Sequence, residues 1–79
     1  MQQEINAHVT EMIEQVQEMR RQASGKLIQI FELSPELYTH GDEYSHQFFT
    51  RLRYIYPDRV TIECSRSVNG SFRLQFSIA

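Results

Sequence analysis

Four side chains that can bind a metal ion or transfer a proton lie close together in the sequence: His40, Asp42, Glu43 and His46. On a helix, Asp42 and His46 are one turn apart and share a face, so they could supply two ligands of a metal site. Such a site needs further ligands at a preset spacing, and the sequence offers no second pair of this kind. We therefore expect no metal ion, and we interpret the cluster as the start of a helix with solvent-exposed histidines.

The single cysteine, Cys64, lies in a segment where apolar and polar residues alternate, which predicts a strand. Its place in that alternation predicts a small buried side chain rather than a reactive thiol. The chain has only three glycines, and it contains neither a glycine-rich phosphate-binding loop nor a pattern of Ser, His and acid typical of hydrolases. We therefore predict that the protein is not an enzyme, and we expect no catalytic residues and no cofactor.

Aromatic residues concentrate between residues 38 and 56, which contain six of the nine Phe and Tyr side chains together with two arginines. A single helix cannot bury all of them on one face, so some are expected to remain exposed. Tyr and Arg are among the residues most enriched at the energetic centres of protein interfaces. We therefore predict a protein-binding surface that consists of Tyr38, His40, Glu43, Arg51 and Tyr54. The alternative is that Tyr38 and Tyr54 only cover the rim of the core, with their hydroxyls in water.

The N-terminal segment has apolar residues at spacings of 4, 3, 4, 3 and 4, and their mean period of 3.5 is typical of a coiled coil. Arg20 and Arg21 lie near its end and Gly25 follows them, which predicts a helix over about residues 2–23. We expect this helix to join copies of the chain, as a dimer or a dimer of dimers, through Ile5, Val9, Met12, Val16 and Met19. The alternative is that the same stripe packs on the chain's own sheet.

The second part of the chain predicts a sheet with a helix on it. Residues 26–33 indicate a strand with apolar side chains on both faces, which means that each side of the sheet is covered. A helix over about 42–56 and two alternating strands follow. We predict an α+β fold of order α-β-α-β-β, in which a coiled-coil-like helix precedes a three-stranded mixed sheet with one helix packed on a face. We expect the first strand at an edge, where Ile28 and Ile30 would seat the N-terminal helix of this chain or of a partner.

The last two strands can be paired from their alternation, which gives each strand one buried and one solvent-exposed face. A two-residue loop at Asn69-Gly70 would set every apolar residue opposite a polar one. A three-residue loop over 68–70, with Gly70 in the left-handed backbone region, lets the two faces agree. The predicted pairs are Cys64 with Leu74, Ile62 with Phe76 and Val60 with Ile78.

Length and composition indicate one domain over residues 1–79, with a helix for association over 2–23 and a βαββ core over 26–79. The formal net charge is −2 and no long apolar run is present. We therefore expect neither direct binding to nucleic acid nor a membrane-spanning segment. The polar start Met-Gln-Gln-Glu does not resemble a secretory leader, and a lone cysteine offers no disulfide pair. These features predict a cytoplasmic protein that binds other proteins and has no small-molecule substrate.

The run from Phe48 to Asp58, Phe-Phe-Thr-Arg-Leu-Arg-Tyr-Ile-Tyr-Pro-Asp, resembles the motif of the DinI-like family, in which a helix ending in Phe-Pro-Asp leads into a strand. The strand and the proline-containing loop before it are similar in order, so the resemblance covers about residues 26–62. The family contains small damage-induced proteins of bacteria and their phages, including modulators of the RecA recombinase and prophage antirepressors that release a repressor from DNA. The sequence ends on Phe76-Ser77-Ile78-Ala79 in place of the acidic C-terminal helix of the RecA modulators. The resemblance therefore implies a function nearest to that of the antirepressors.

Two classes of function follow from these features. The first is a small oligomeric regulator that binds another protein, either as a phage-type antirepressor of a DNA-binding repressor or as a modulator of a RecA-type or defence protein. The second is direct binding of nucleic acid by the exposed face of the hairpin. That face has one base and one acid among Thr61, Glu63, Ser65, Arg73, Gln75 and Ser77. Its composition favours the first class.

Overall fold

The computed structural model describes residues 2–66 and 70–79, which form an α+β fold. The elements, in chain order, are α1 (Gln2–Gln22), β1 (Leu27–Glu32), α2 (Pro35–Tyr38), α3 (Gly41–Ile55), β2 (Val60–Arg66) and β3 (Phe72–Ile78). The predicted α+β class is confirmed. The fold also contains α2, a single turn that begins at Pro35, a residue suited to the first helical position because it has no backbone N–H to satisfy.

The three strands lie in the order β1-β3-β2, and both neighbouring pairs are antiparallel. The edge position predicted for β1 is confirmed. The prediction of a mixed sheet is wrong, because β3 inserts between the two strands that α3 connects. β1 and β2 run in the same direction, but each pairs with β3 rather than with the other.

The hairpin of β2 and β3 has the predicted register. Its pairs include Cys64 with Leu74, Ile62 with Phe76 and Val60 with Ile78. Gly70 has a φ of +90°, in the left-handed region that was predicted for it and that favours glycine. The rest of the predicted loop, Val68 and Asn69, lies outside the described residues.

Helix α1 buries a stripe of four apolar residues in the chain's own core: Ile5, Val9, Ile13 and Val16. Their spacing of 4, 4 and 3 is that of a helix packed on a broad surface rather than of a narrow coiled-coil seam. Met12 and Met19 are half-buried and pack at the edge of this core. The coiled-coil arrangement is not confirmed, because Ile5, Val9 and Val16 are covered by their own chain.

Both long helices pack into one core on a single face of the sheet. The inner face of β3 supplies four buried side chains to it: Phe72, Leu74, Phe76 and Ile78. Phe31 of β1 packs edge-to-face against Tyr44 and Phe48 of α3, with ring centroids 6.3 and 5.6 Å away. These contacts hold α3 across the sheet.

The opposite face of the sheet is open along β1. Ile28 and Ile30 are 53% and 56% exposed, since α1 packs against α3 in the core instead of on this face. The expectation that α1 of this chain would seat there is wrong. The physical reason is that α1 carries a stripe broad enough to complete the core beside α3.

The start of α3 is set by a close approach to β3. A Cβ atom at Gly41 would overlap the ring of Phe72, so only glycine fits there without movement of its neighbours. Phe72 is itself fixed by the sheet, because its carbonyl accepts a hydrogen bond from the backbone N–H of Leu33 at 2.9 Å. Helix α3 therefore has a defined position over the sheet from its first residue.

Candidate functional site

The outward surface of α3 carries a line of four side chains: Glu43, Gln47, Thr50 and Tyr54. Their spacings of 4, 3 and 4 place them on one face of the helix. We call this line the α3 strip. Tyr54 is 88% exposed, whereas Tyr44 on the inner face of the same helix is fully buried. The strip therefore presents a large aromatic ring to solvent at its C-terminal end.

Arg51 borders the α3 strip on the side of α1. Its Nη1 donates a hydrogen bond to Oγ1 of Thr10 at 2.9 Å, and the Thr10 hydroxyl in turn donates to the carbonyl oxygen of Asn6 at 2.9 Å. A depression of about 300 Å³ lies beside this contact, lined by Ile13, Thr50, Arg51, Tyr54 and Ile55. Because apolar side chains and a guanidinium group meet there, the depression can accept an apolar side chain next to a carboxylate.

A second depression, of about 360 Å³, lies on the other side of Tyr54 and is lined by Thr50, Arg53, Tyr54, Pro57 and Asp58. The guanidinium carbon of Arg53 lies 5.2 Å from the centre of the Phe49 ring, within the range of a cation–π contact. Thr50 and Tyr54 line both depressions, and the exposed ring of Tyr54 projects between them. A partner that fills them would contact both faces of its ring.

A part-buried polar contact joins α1 to α3. The hydroxyl of Tyr44 lies 2.7 Å from Nδ1 of His8. Burial raises the pKa of the Tyr44 hydroxyl well above its ordinary value, with a smaller contribution from the Glu11 carboxylate. Tyr44 therefore stays protonated in the folded chain, and its hydroxyl shares one hydrogen bond with Nδ1 of His8. This bond helps to hold the two helices that form the first depression.

Of the five residues predicted to bind a partner, four lie on α3 or at its start. Glu43 and Tyr54 belong to the α3 strip, Arg51 borders it, and His40 is exposed immediately before the helix. Tyr38 lies apart from them on α2. It is half-buried against the core, and its carbonyl oxygen accepts a hydrogen bond from Nη1 of Arg66 at 3.2 Å.

Sequence reasoning missed Gln47 and Thr50, which connect the two ends of the strip. Their spacing from Glu43 and Tyr54 was a usable signal, because positions three and four apart share a helix face. The contribution of Ile13 to the first depression had no comparable signal. It depends on how α1 crosses α3, which no local pattern specifies.

Cys64 is exposed, so the prediction that its side chain is buried is wrong. Cys64 pairs with Leu74, as predicted. However, β2 is an edge strand, and the helices cover less of it toward its C-terminal end, so Val60 is half-buried and Cys64 is exposed.

Within residues 2–66 and 70–79, no three His, Cys, Asp or Glu side chains lie close enough together to hold a metal ion. In the same part of the chain, no helix combines the length and apolarity that membrane crossing requires.

Comparisons with protein families, with curated proteins and with solved structures find no match for this chain.

Proposed function

We propose that the protein acts by binding another protein through the α3 strip and the two depressions beside Tyr54. The observation that carries this proposal is the 88% exposure of the Tyr54 side chain between the two depressions. Such a ring gains large contact area on binding and loses few rotamers, because tyrosine has only two side-chain torsions and the helix fixes its backbone.

The chemistry of the surface defines the kind of partner segment. The strip spans about 16 Å from Glu43 to Tyr54, the length of three helical turns. Arg51 and Arg53 add positive charge at its C-terminal end, and Glu43 adds negative charge at its N-terminal end. A matching segment would place apolar side chains in the depressions and carboxylates opposite the two arginines.

The biological role proposed here is that of a small regulator, nearest to a phage-type antirepressor that binds and inactivates a DNA-binding repressor. The resemblance of residues 26–62 to the DinI-like family supports this role. Modulation of another host protein, such as a RecA-type or defence protein, is the second candidate within the same class. Both roles require the same protein-binding surface.

The proposal is tested by affinity capture from a bacterial lysate with quantitative mass spectrometry. Wild type is compared with Tyr54→Ala, with Arg51→Ala and with Arg21→Ala, an exposed arginine near the end of α1 that serves as the matched control. We expect at least one protein to be retained by wild type and by Arg21→Ala and lost from both strip variants. Retention of the same proteins by all four chains would contradict the proposal.

A gel-shift experiment separates sequestration of a regulator from direct binding to DNA. We expect the purified protein alone to leave a mixed DNA library unshifted, and to reduce the shift caused by the captured partner. A shift by the purified protein alone that declines steeply with salt would favour the nucleic-acid alternative.

A further inference from the structure

The face of the sheet that lies opposite the helices carries three rows of side chains, which we call the outer face. The rows are Ile28, Ser77 and Thr61; then Ile30, Gln75 and Glu63; then Glu32, Arg73 and Ser65. Within the described residues, both isoleucines remain more than half exposed. Exposed β-branched apolar residues two positions apart on one strand form a continuous ridge on a solvated sheet.

The outer face combines this ridge with a recess. Ser77 is short and lies between Ile28 on one neighbouring strand and Thr61 on the other. The result is a depression of about 230 Å³ over the central strand, and its lining includes Lys26, Ile28, Thr61 and Glu63. Ridge and recess lie side by side. Two copies of this face can therefore pack against each other about a two-fold axis. The ridge of each copy then inserts into the recess of the other.

The charges on the outer face are balanced. Arg73 and Glu32 form an ion pair across β1 and β3, with Nη2 and Oε1 3.0 Å apart. Lys26 and Glu63 line the recess from opposite edges of the sheet, one before β1 and the other on β2. Because Lys26 and Glu63 have opposite charges and lie on opposite sides of the recess, a two-fold axis through the recess can set each of them against its counterpart in a second copy.

We propose that the outer face binds a second copy of this chain, sheet against sheet, about a two-fold axis. In this dimer Lys26 of each copy faces Glu63 of the other. Strands lie about 4.8 Å apart, and side chains on one face of a strand repeat about every 6.7 Å. With these spacings, the same axis sets the Ile28 side chain of each copy over the recess of the other. The strands of the two sheets cross at a steep angle.

The size of the face sets the strength of the dimer. Three strands and three rows give a footprint of about 300 Å², well below the roughly 800 Å² per partner of a standard stable interface. The dimer is therefore expected to be weak, with dissociation in the high micromolar range or above. It uses the side of the molecule opposite the α3 strip, so this inference stands independently of the proposed function.

Charge reversal tests the pairing of Lys26 with Glu63 directly. Sedimentation velocity from low micromolar to near-millimolar concentration should show a monomer–dimer equilibrium for wild type. Lys26→Glu and Glu63→Lys should each weaken dimerisation tenfold or more, because both symmetry-related attractions become repulsions. An equimolar mixture of the two variants should dimerise again, since every facing pair in the mixed dimer is then of opposite charge. The chain that carries both reversals should also recover.

The matched controls are Glu14→Lys on the exposed surface of α1 and Tyr54→Ala on the α3 strip, both of which should dimerise as wild type does. Circular dichroism establishes that each variant is folded. Wild type that stays monomeric up to near-millimolar concentration would overturn the inference. Dimerisation unchanged in both single reversals would overturn it as well, and would assign association to another surface.

Discussion

The four tyrosines of this protein differ in how far they are buried, and residue type alone does not predict the difference. Tyr44 is buried with its hydroxyl bonded to His8, Tyr38 and Tyr56 pack partly against the core, and only Tyr54 extends into solvent. The difference comes from position on the helix, because Tyr44 and Tyr54 are ten residues apart, which turns their side chains about 80° from one another around the helix axis. The same residue type is therefore a core residue at one position and a solvent-exposed residue at the other.

The Tyr44 hydroxyl should contribute measurably to stability. Tyr44→Phe keeps the ring and leaves Nδ1 of His8 without its hydrogen-bond partner, which should lower the free energy of unfolding by about 1 kcal/mol. For a domain of this size that corresponds to a decrease in melting temperature of about 4–8 °C. Tyr54→Phe is the control, because its hydroxyl is in solvent. Equal melting temperatures for Tyr44→Phe and wild type would show that the His8 contact adds nothing.

The raised pKa of Tyr44 predicts a loss of stability at alkaline pH. Above the ordinary tyrosine pKa of about 10, the unfolded chain releases this proton and the folded chain retains it, so unfolding becomes more favourable as pH rises. Urea denaturation between about pH 8 and about pH 11 should show a steeper decline for wild type than for Tyr44→Phe. Parallel declines would show that Tyr44 has the same pKa in both states.

The contact between Gly41 and Phe72 predicts a strong size limit at the start of α3. Gly41→Ala should lower the free energy of unfolding by about 1–3 kcal/mol despite the better helix propensity of alanine, because the added methyl group overlaps the Phe72 ring. Phe72→Leu in the same chain should recover part of this loss. A strictly additive double variant would contradict direct contact between the two positions.

At the scale of elements, the two neighbours Met12 and Ile13 explain why the sequence does not specify which face of α1 is buried. Both are apolar, so the sequence fits a period of 3.5 through Met12 and a broader stripe through Ile13 equally well. In the folded chain Ile13 is buried and Met12 is only half-buried. The choice is made by the shape of the surface that α1 covers, which is a property of the tertiary structure.

This assignment makes α1 testable by two matched substitutions. Ile13→Ala should cost about 2–4 kcal/mol of unfolding free energy, and Met12→Ala less than about 1.5 kcal/mol. Chemical denaturation of both variants measures the difference. A coiled coil that used Met12 as a seam residue would reverse the order, because Ile13 would then lie beside the seam.

The sheet shows which parts of a fold a sequence can specify. Alternation and the position of Gly70 predicted the register of β2 and β3 correctly, since a slip by one residue would have put every apolar side chain on the wrong face. The same alternation holds no information on which strand lies beside β1. The insertion of β3 between β1 and β2 therefore could not be predicted from local pattern.

The candidate site could likewise be predicted only in part. Residue type pointed to Tyr54 and Arg51, whereas the depressions beside them depend on tertiary packing.

At the scale of the whole molecule, the helices and the sheet present two separate surfaces on opposite sides. The α3 strip faces away from the core on the helical side, and the outer face lies on the other side of the sheet. In the proposed sheet-to-sheet dimer, the two strips would point outward. Such a dimer could engage two copies of a partner, and the second contact would strengthen binding through effective concentration.

Photo-crosslinking from position 54 tests the proposed binding surface most directly. A photoreactive phenylalanine analogue replaces Tyr54 in one chain and Glu36, an exposed residue of α2, in a control chain. After irradiation in cells, we expect a discrete crosslinked protein from position 54, absent from position 36 and lost when Arg51→Ala is added. No crosslink from position 54, or the same crosslink from both positions, would contradict binding through the α3 strip.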